Sequence, residues 1–237
     1  MKKIIEVSNL SKRYGTKEVV SDLSLSIGKG EVFGLLGHNG AGKTTTIEMI
    51  LGIKKPDKGS AQIFGKEARK HRKSLFEKVG VQLQVTSFQN NIHVDEVCEE
   101  LSVLYQEPAD YLELLEKFNL SHCRKQPVDG LSGGERQKLS IILALIPNPE
   151  VVFFDELTTG LDAKARREVW ELLIHLKKKG LTIFLTTHYM EEASALCDRL
   201  MIIKKGQMLT TGTVEEVIGY SPYENLEDAY LWYMEEK

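Results

Sequence analysis

Val32-Phe33-Gly34-Leu35-Leu36-Gly37-His38-Asn39-Gly40-Ala41-Gly42-Lys43-Thr44 is the stretch whose reading decides the fold. Its first five residues are a short apolar run that reads as a buried strand. Thr45 to Leu51 read as a helix, and Gly52 is placed to end it. Strand, glycine-rich turn and helix start together make a phosphate cradle. The glycines let the backbone approach an anion closely, so that several N–H groups can converge on it. The helix N-terminus adds partial positive charge, Lys43 can reach the outer phosphates, and Thr44 offers a hydroxyl to Mg²⁺. A glycine-rich loop matching this pattern by chance is the alternative, and the rest of the chain bears on it.

The chain has 237 residues, enough for one large α/β domain with a full core. Hydrophobic residues make up 42% and charged residues 27%, with a net charge of -3, which gives no reason to expect nucleic acid as a partner. Cys98, Cys123 and Cys197 form no Cys-x-x-Cys pair. They are expected to pack in a reducing compartment, without a metal site. Glu6 interrupts the start of the chain too early for a signal peptide, and the longest apolar run, Ile141 to Ile146, is too short to span a bilayer. A soluble protein is expected, whose membrane-spanning helices, if any, come from another chain.

Residues 1 to 36 read as an antiparallel β region, with Leu23, Leu25 and Ile27 alternating against Ser24 and Ser26. Tyr14 lies in a polar turn, where a tyrosine is ordinarily a packing residue but could also lie flat on a purine. Pro56-Asp57-Lys58-Gly59 is a turn, Ser60 to Phe64 a short strand, Lys66 to Lys73 a basic solvated face, and Val79 to Leu83 a strand ending at Gln84. Val94, Val97, Leu101 and Leu104 fall at helical spacing, as do Tyr111, Leu112, Leu115 and Phe118, predicting a small helical hairpin.

Leu131-Ser132-Gly133-Gly134-Glu135-Arg136-Gln137 opens a further helix that runs to Ile146. It is either a plain serine-capped helix or a second anion site. Val151 to Phe154 read as a buried strand whose end carries Asp155-Glu156, where parallel sheets bind ligands. Asp155 can hold Mg²⁺ and Glu156 can polarise a water, whereas without the loop at 37–44 the pair would pass for surface acid. Ala163 to Lys179 is an amphipathic helix, Leu181 to Leu185 a strand with His188 beyond its end, and Met201–Lys204 with Gln207–Thr211 a hairpin.

These motifs, in this order, closely resemble the ATP-binding subunit of ATP-binding cassette (ABC) transporters over nearly the whole chain. Gly37–Thr44 resembles the family's Walker A, Leu131–Gln137 its signature motif, Val151–Glu156 its Walker B, Thr159-Gly160-Leu161-Asp162 its D-loop and His188 its switch histidine. Gln84 resembles the coupling glutamine, with Gln82 a nearby alternative, and Tyr14 the adenine-stacking aromatic. Leu157 stands where many members have proline, which puts the rigidity of that loop in question.

The resemblance implies an α/β fold: a P-loop NTPase core with a mostly parallel sheet, an N-terminal antiparallel β region and a small inserted helical subdomain. It implies a single domain over 1–237, with core segments 1–84 and 131–218, a helical subdomain at 85–130 and a helical tail at 219–237. ATP and Mg²⁺ are the implied cofactors. Glu156, His188 and Gln84 would act in hydrolysis. Tyr14, Gly37, Asn39–Thr45, Ser132–Gly134 and Asp162 would bind nucleotide, and Thr44, Gln84 and Asp155 would hold Mg²⁺. Two cassettes, as homodimer or heterodimer, would stack head to tail on a polytopic membrane permease, at the cytoplasmic face of the cell membrane. The segment Leu226–Leu231 is similar to the tail of efflux-type cassettes, and the chain leaves no room for the longer regulatory domain of many importers. The rival reading is a soluble cassette ATPase acting on ribosomes or DNA. A P-loop kinase would leave Leu131–Gln137 and His188 without a purpose, and a non-hydrolysing regulator would not need Glu156.

Overall fold

The computed structural model describes residues 2–83 and 88–236, so Gln84 lies outside the described residues. Two sheets build the protein. The first is antiparallel, in the order β2–β1–β4, from β1 (Lys3–Tyr14), β2 (Lys17–Gly28) and β4 (Lys58–Ile63). The second has the order β5–β6–β7–β3–β8–β9, from β3 (Val32–Leu36), β5 (Val79–Gln82), β6 (Val151–Asp155), β7 (Thr182–Thr187), β8 (Arg199–Lys204) and β9 (Gln207–Thr213). It is parallel except for β9, which pairs antiparallel with β8.

The helices are α1 (Lys43–Ile50), α2 (Arg72–Phe76), α3 (Val94–Ser102), α4 (Tyr111–Lys117), α5 (Gly133–Leu145), α6 (Ala163–Lys178), α7 (Met190–Leu196), α8 (Val214–Gly219) and α9 (Leu226–Glu236). None of the helices among the described residues is long and apolar enough to cross a membrane.

Three readings need correction. The antiparallel region does not extend to residue 36, because β3 leaves it to pair in parallel with both β7 and β8. The helix drawn through Leu104 ends at Ser102, and Leu104 is 68% exposed and does not belong to an inward face. The first helix also begins at Lys43 itself, two residues before the expected start.

The continuous apolar run of β6 is explained by burial on both faces of the sheet, as parallel sheets require. Val152 and Phe154 face a core shared with α5 and α6 residues such as Leu139, Ile142, Val169 and Leu173. Val151 and Phe153 face the antiparallel sheet and α1, through Ile5, Leu23, Ile27, Ile47 and Ile50. In register across β3, β7 and β6, Phe33, Phe184 and Phe153 form an aromatic row with ring centroids 5.9 and 5.5 Å apart. On α5's side, Gly80 lets β5 come so near that a Cβ there would lie 2.0 Å from the Ala144 carbonyl oxygen. A third cluster, of Leu36, Met190, Leu200, Ile202, Val217, Leu226 and Tyr233, seats α7, α8 and α9 against the sheet. The result is that the C-terminal ends of β3, β6 and β7 lie side by side, held from both faces.

Candidate functional site

From the end of β3 the chain turns through Gly37 to Gly42. Gly42 takes φ +108° as the residue before α1, and a Cβ there would meet the Val19 carbonyl oxygen at 2.5 Å. No side chain caps α1, and its first turn carries no acid, so its positive end is left open for an anion. Lys43 is buried and folds back over the loop, its Nζ donating to the carbonyl oxygens of Gly37 at 2.8 Å and His38 at 3.3 Å. Burial pulls this ammonium below its ordinary pKa, and the charges of Glu156 and Asp155 oppose that shift. The turn between β8 and β9 braces the loop, with the Gly206 N–H donating to the Ala41 carbonyl at 2.9 Å.

The carboxylates arrive from β6. Asp155 is fully buried; its Oδ2 accepts the Thr44 hydroxyl at 2.7 Å, and its Oδ1 accepts the Thr186 hydroxyl from the neighbouring β7. The same Thr186 Oγ1 accepts the Glu156 N–H at 3.0 Å, and that N–H also reaches the Thr186 carbonyl oxygen at 3.1 Å. These bonds hold Glu156 at φ +56°, a conformation that costs a residue with a side chain about 1–3 kcal/mol. The twist turns the carboxylate toward the phosphate loop: Glu156 Oε1 lies 3.8 Å from Lys43 Nζ and 3.9 Å from His188 Nδ1. Gln82, buried at the end of β5, donates to the carbonyls of Leu83 at 3.2 Å and Asp155 at 3.4 Å.

The structure thus brings Lys43, Thr44, Asp155, Glu156 and His188 together. Ser132 makes its bonds within its own helix start: its hydroxyl and N–H donate to Glu135 Oε2 at 2.7 and 2.9 Å, and Oγ accepts the Glu135 N–H at 3.3 Å. The Ser132 hydroxyl and N–H, in that order, hold the Glu135 carboxyl down to about 2. Gly133 and Gly134 follow as the bare first residues of α5. Asp162 caps α6, accepting the Ala165 N–H at 2.8 Å. The Tyr14 ring is partly exposed at the end of β1, with the ammonium groups of Lys12 and Lys54 at 5.5 and 5.6 Å from its centroid. Leu157 is fully buried, and its carbonyl oxygen accepts Gln137 Nε2 at 2.6 Å. Burial and this bond to α5 restrain the loop where a proline would have done so through φ.

Sequence reasoning missed Thr186 and Glu192. Thr186 is one of several threonines on an apolar strand, and only the register β6–β7 places its hydroxyl between Asp155 and the Glu156 N–H. Glu192, one of two adjacent glutamates in α7, is fully buried; its Oε1 accepts Thr158 Oγ1 at 2.6 Å and Trp170 Nε1 at 3.3 Å. It therefore ties the loop after Glu156 to the helix after His188. Burial pushes the Glu192 carboxyl above its ordinary range, against hydrogen bonds from Thr158, Thr187 and Trp170 and the charge of Arg166.

A raised folded pKa means that stability is fully present below the unfolded value and is lost as pH rises through the folded one. Glu192→Gln, which stays neutral, is expected to lose that dependence. Its Tm relative to wild type should climb as pH rises above 4.5, the unfolded carboxyl's ordinary value. A difference in Tm that falls or stays flat over that window would refute the assignment.

Comparison with known proteins agrees with this geometry. Residues 20–159 match the family model described as ABC transporter. The chain is 42% identical over 220 residues to the Nod factor export ATP-binding protein I of Ralstonia nicotianae, covering 91% of this chain and 68% of that one. It is 39% identical over 224 residues to the protein of that name from Sinorhizobium fredii, covering 91% and 65%. Among solved structures, an ATP-binding subunit of an ABC transporter superposes with a TM-score of 0.89 at 26% identity, over 98% of this chain and 100% of that one. A dimeric bacterial ABC transporter cassette does so with a TM-score of 0.81 at 25% identity, over 89% and 98%. The chain belongs to the ABC transporter family, as the ATP-binding subunit whose ATPase is coupled to transport.

Proposed function

We propose that this subunit hydrolyses Mg²⁺-bound ATP and drives export through a separate polytopic permease, acting as one of two cassettes at the cytoplasmic face of the membrane. The observation that carries hydrolysis is the convergence of Lys43, Glu156 and the hydrogen-bonded Thr44–Asp155 pair at the ends of β3 and β6. The hydroxyl of Thr44 and the carboxylate of Asp155 are hard oxygen donors 2.7 Å apart, a set that suits Mg²⁺. When bound, that ion supplies charge neutralisation on the phosphates. Lys43 and the α1 N-terminus then hold the nucleotide, Tyr14 offers a face to its base, and Glu156 with His188 orients a water. Gln84, which falls outside the described residues, would complete the ion's shell. Ser132, Gly133, Gly134 and Asp162 would serve the nucleotide held by the other cassette.

The direction of transport rests on the relatives, whose names specify export. As domain organisation we propose one ATPase domain, with core segments 1–84 and 131–218, a helical subdomain at 85–130 and a tail at 219–237. The permease would dock on the helical subdomain, where Val103 and Leu104 are 80% and 68% exposed just past α3. Among the described residues, neither side chain belongs to a core cluster. The double variant Val103→Asp, Leu104→Asp is expected to keep the basal ATPase of the purified chain. It should weaken co-isolation with the permease by roughly thirtyfold, the scale of losing an interface hot spot. Undiminished co-isolation would remove the docking surface. Co-isolation of wild type with ribosomes or DNA in place of a membrane protein would favour the soluble-ATPase alternative.

A further inference from the structure

We propose that His122, Cys123 and Glu135 form a binding site for a single divalent ion of the zinc class, beside the start of α5. Glu135 Oε1 lies 3.4 Å from His122 Nε2 and 3.4 Å from Cys123 Sγ, and all three donor atoms fall within 4.8 Å of one another. Zinc bonds of about 2.0 Å to nitrogen or oxygen and 2.3 Å to sulfur imply ligand-to-ligand edges of roughly 3.3–3.6 Å in a tetrahedron. Two of the three edges therefore have the required length already. The third, from His122 to Cys123, is no longer than 4.8 Å, and the His122 side chain is 65% exposed.

The donor chemistry selects the ion. An imidazole, a sulfur and one carboxylate oxygen suit a borderline ion, whereas Mg²⁺ and Ca²⁺ take oxygen. Binding expels the Cys123 thiol proton to solvent, leaving a thiolate and a carboxylate that balance the ion's two positive charges; a water completes the fourth position.

The framework is rigid on both sides. His122 and Cys123 are consecutive residues of a single 3₁₀ turn, Ser121–Cys123, and Cys123 is fully buried. Glu135 is oriented by Ser132, which donates both its N–H and its hydroxyl to Oε2 and leaves Oε1 turned toward His122 and Cys123. Such an outer hydrogen bond is what fixes a ligating carboxylate. The ion would thus sit one carboxylate away from Ser132, the residue that the function proposed above assigns to the second cassette's nucleotide. No metal-ligand spacing announces the site, because its ligands are two adjacent residues and a third from the start of α5. Among the described residues no other group of three such side chains converges.

The test uses the full purified chain without nucleotide or Mg²⁺, so that its failure is separate from any failure of the ATPase assignment. Titration with Co²⁺ is expected to give one equivalent bound per chain, with thiolate-to-cobalt charge-transfer absorption in the near ultraviolet, and Zn²⁺ is expected to displace it. Cys123→Ser should abolish that absorption. His122→Ala changes a largely exposed side chain, and should weaken Zn²⁺ binding by at least about tenfold, the lower end of the effect of disturbing a metal shell. His93→Ala, at a two-residue pair with Glu96, should leave binding unchanged. Absence of the thiolate band in wild type would overturn the proposal. So would its persistence in Cys123→Ser, or unchanged Zn²⁺ affinity in His122→Ala, which decides the matter if the serine variant fails to fold.

Discussion

Glu156→Gln is expected to bind ATP as wild type does and to hydrolyse it about 10²–10⁴-fold more slowly, the scale of losing a general base. The carboxylate lies 3.8 Å from the Lys43 ammonium and 3.9 Å from His188 Nδ1, between the group proposed to hold the outer phosphate and the one proposed to help orient the water. Glutamine keeps the length and the shape, so the φ of +56° and the two bonds from the residue's N–H to Thr186 should survive. What is lost is the negative charge and the proton-accepting oxygen. Because Lys43 also loses a counter-charge, ATP affinity should hold or rise slightly, since the phosphates then have less competition for the ammonium. The measurement is nucleotide affinity beside single-turnover hydrolysis. A Glu156→Gln protein that turns over like wild type would place the base elsewhere, and one that fails to bind ATP would make Glu156 a structural residue.

The loop from Gly37 to Thr44 was legible because its chemistry is local: glycines where backbone must come close, a lysine and a threonine at the start of a helix. The pair Asp155-Glu156 was legible for the same reason, at the end of a run too apolar to be anything but a buried strand. The membership of β3 was not, since five apolar residues fit an antiparallel strand as well as a parallel one. The choice is made by pairing with β7 and β8, about 150 residues away in the chain. Thr186 and Glu192 were hidden in the same way. Neither stands out by type, and each acquires a role only when strand register or helix packing puts a partner within hydrogen-bond reach. Leu104 was misplaced because the apolar periodicity extends past the residue where the helix ends, its cap being Val103. Local chemistry announces the site, and long-range contacts determine how its residues are held.

Mixing two dead proteins is expected to restore ATP-driven dimers, and this is the sharpest test of the proposed head-to-tail dimer. The start of α1 is uncapped and carries no acid, and α5 opens at Ser132–Gly134, which the proposed function assigns to the other cassette's nucleotide. Lys43 converges with Asp155 and Glu156 at the first, whereas Ser132 is bonded to Glu135 at the second. If each nucleotide is held by Lys43 of one chain and Ser132 of the other, both sites of a Lys43→Ala homodimer lack the ammonium. Both sites of a Ser132→Arg homodimer have a bulky cation in the second anion pocket. In the mixed dimer the two lesions fall together on one site, and the other is wholly wild type. ATP-driven dimers should therefore reappear on mixing, at up to about half the wild-type population if the chains pair at random, with turnover as well if one intact site can act alone.

Ser132→Arg also removes a helix cap, worth about 1 kcal/mol, so each variant's thermal melt must first match wild type to within that loss. Light scattering in the presence of ATP then reads dimer formation directly and does not depend on coupling between the two sites. If the mixture forms neither dimers nor product under conditions in which wild type forms both, each nucleotide is served by a single chain and the shared-site model fails.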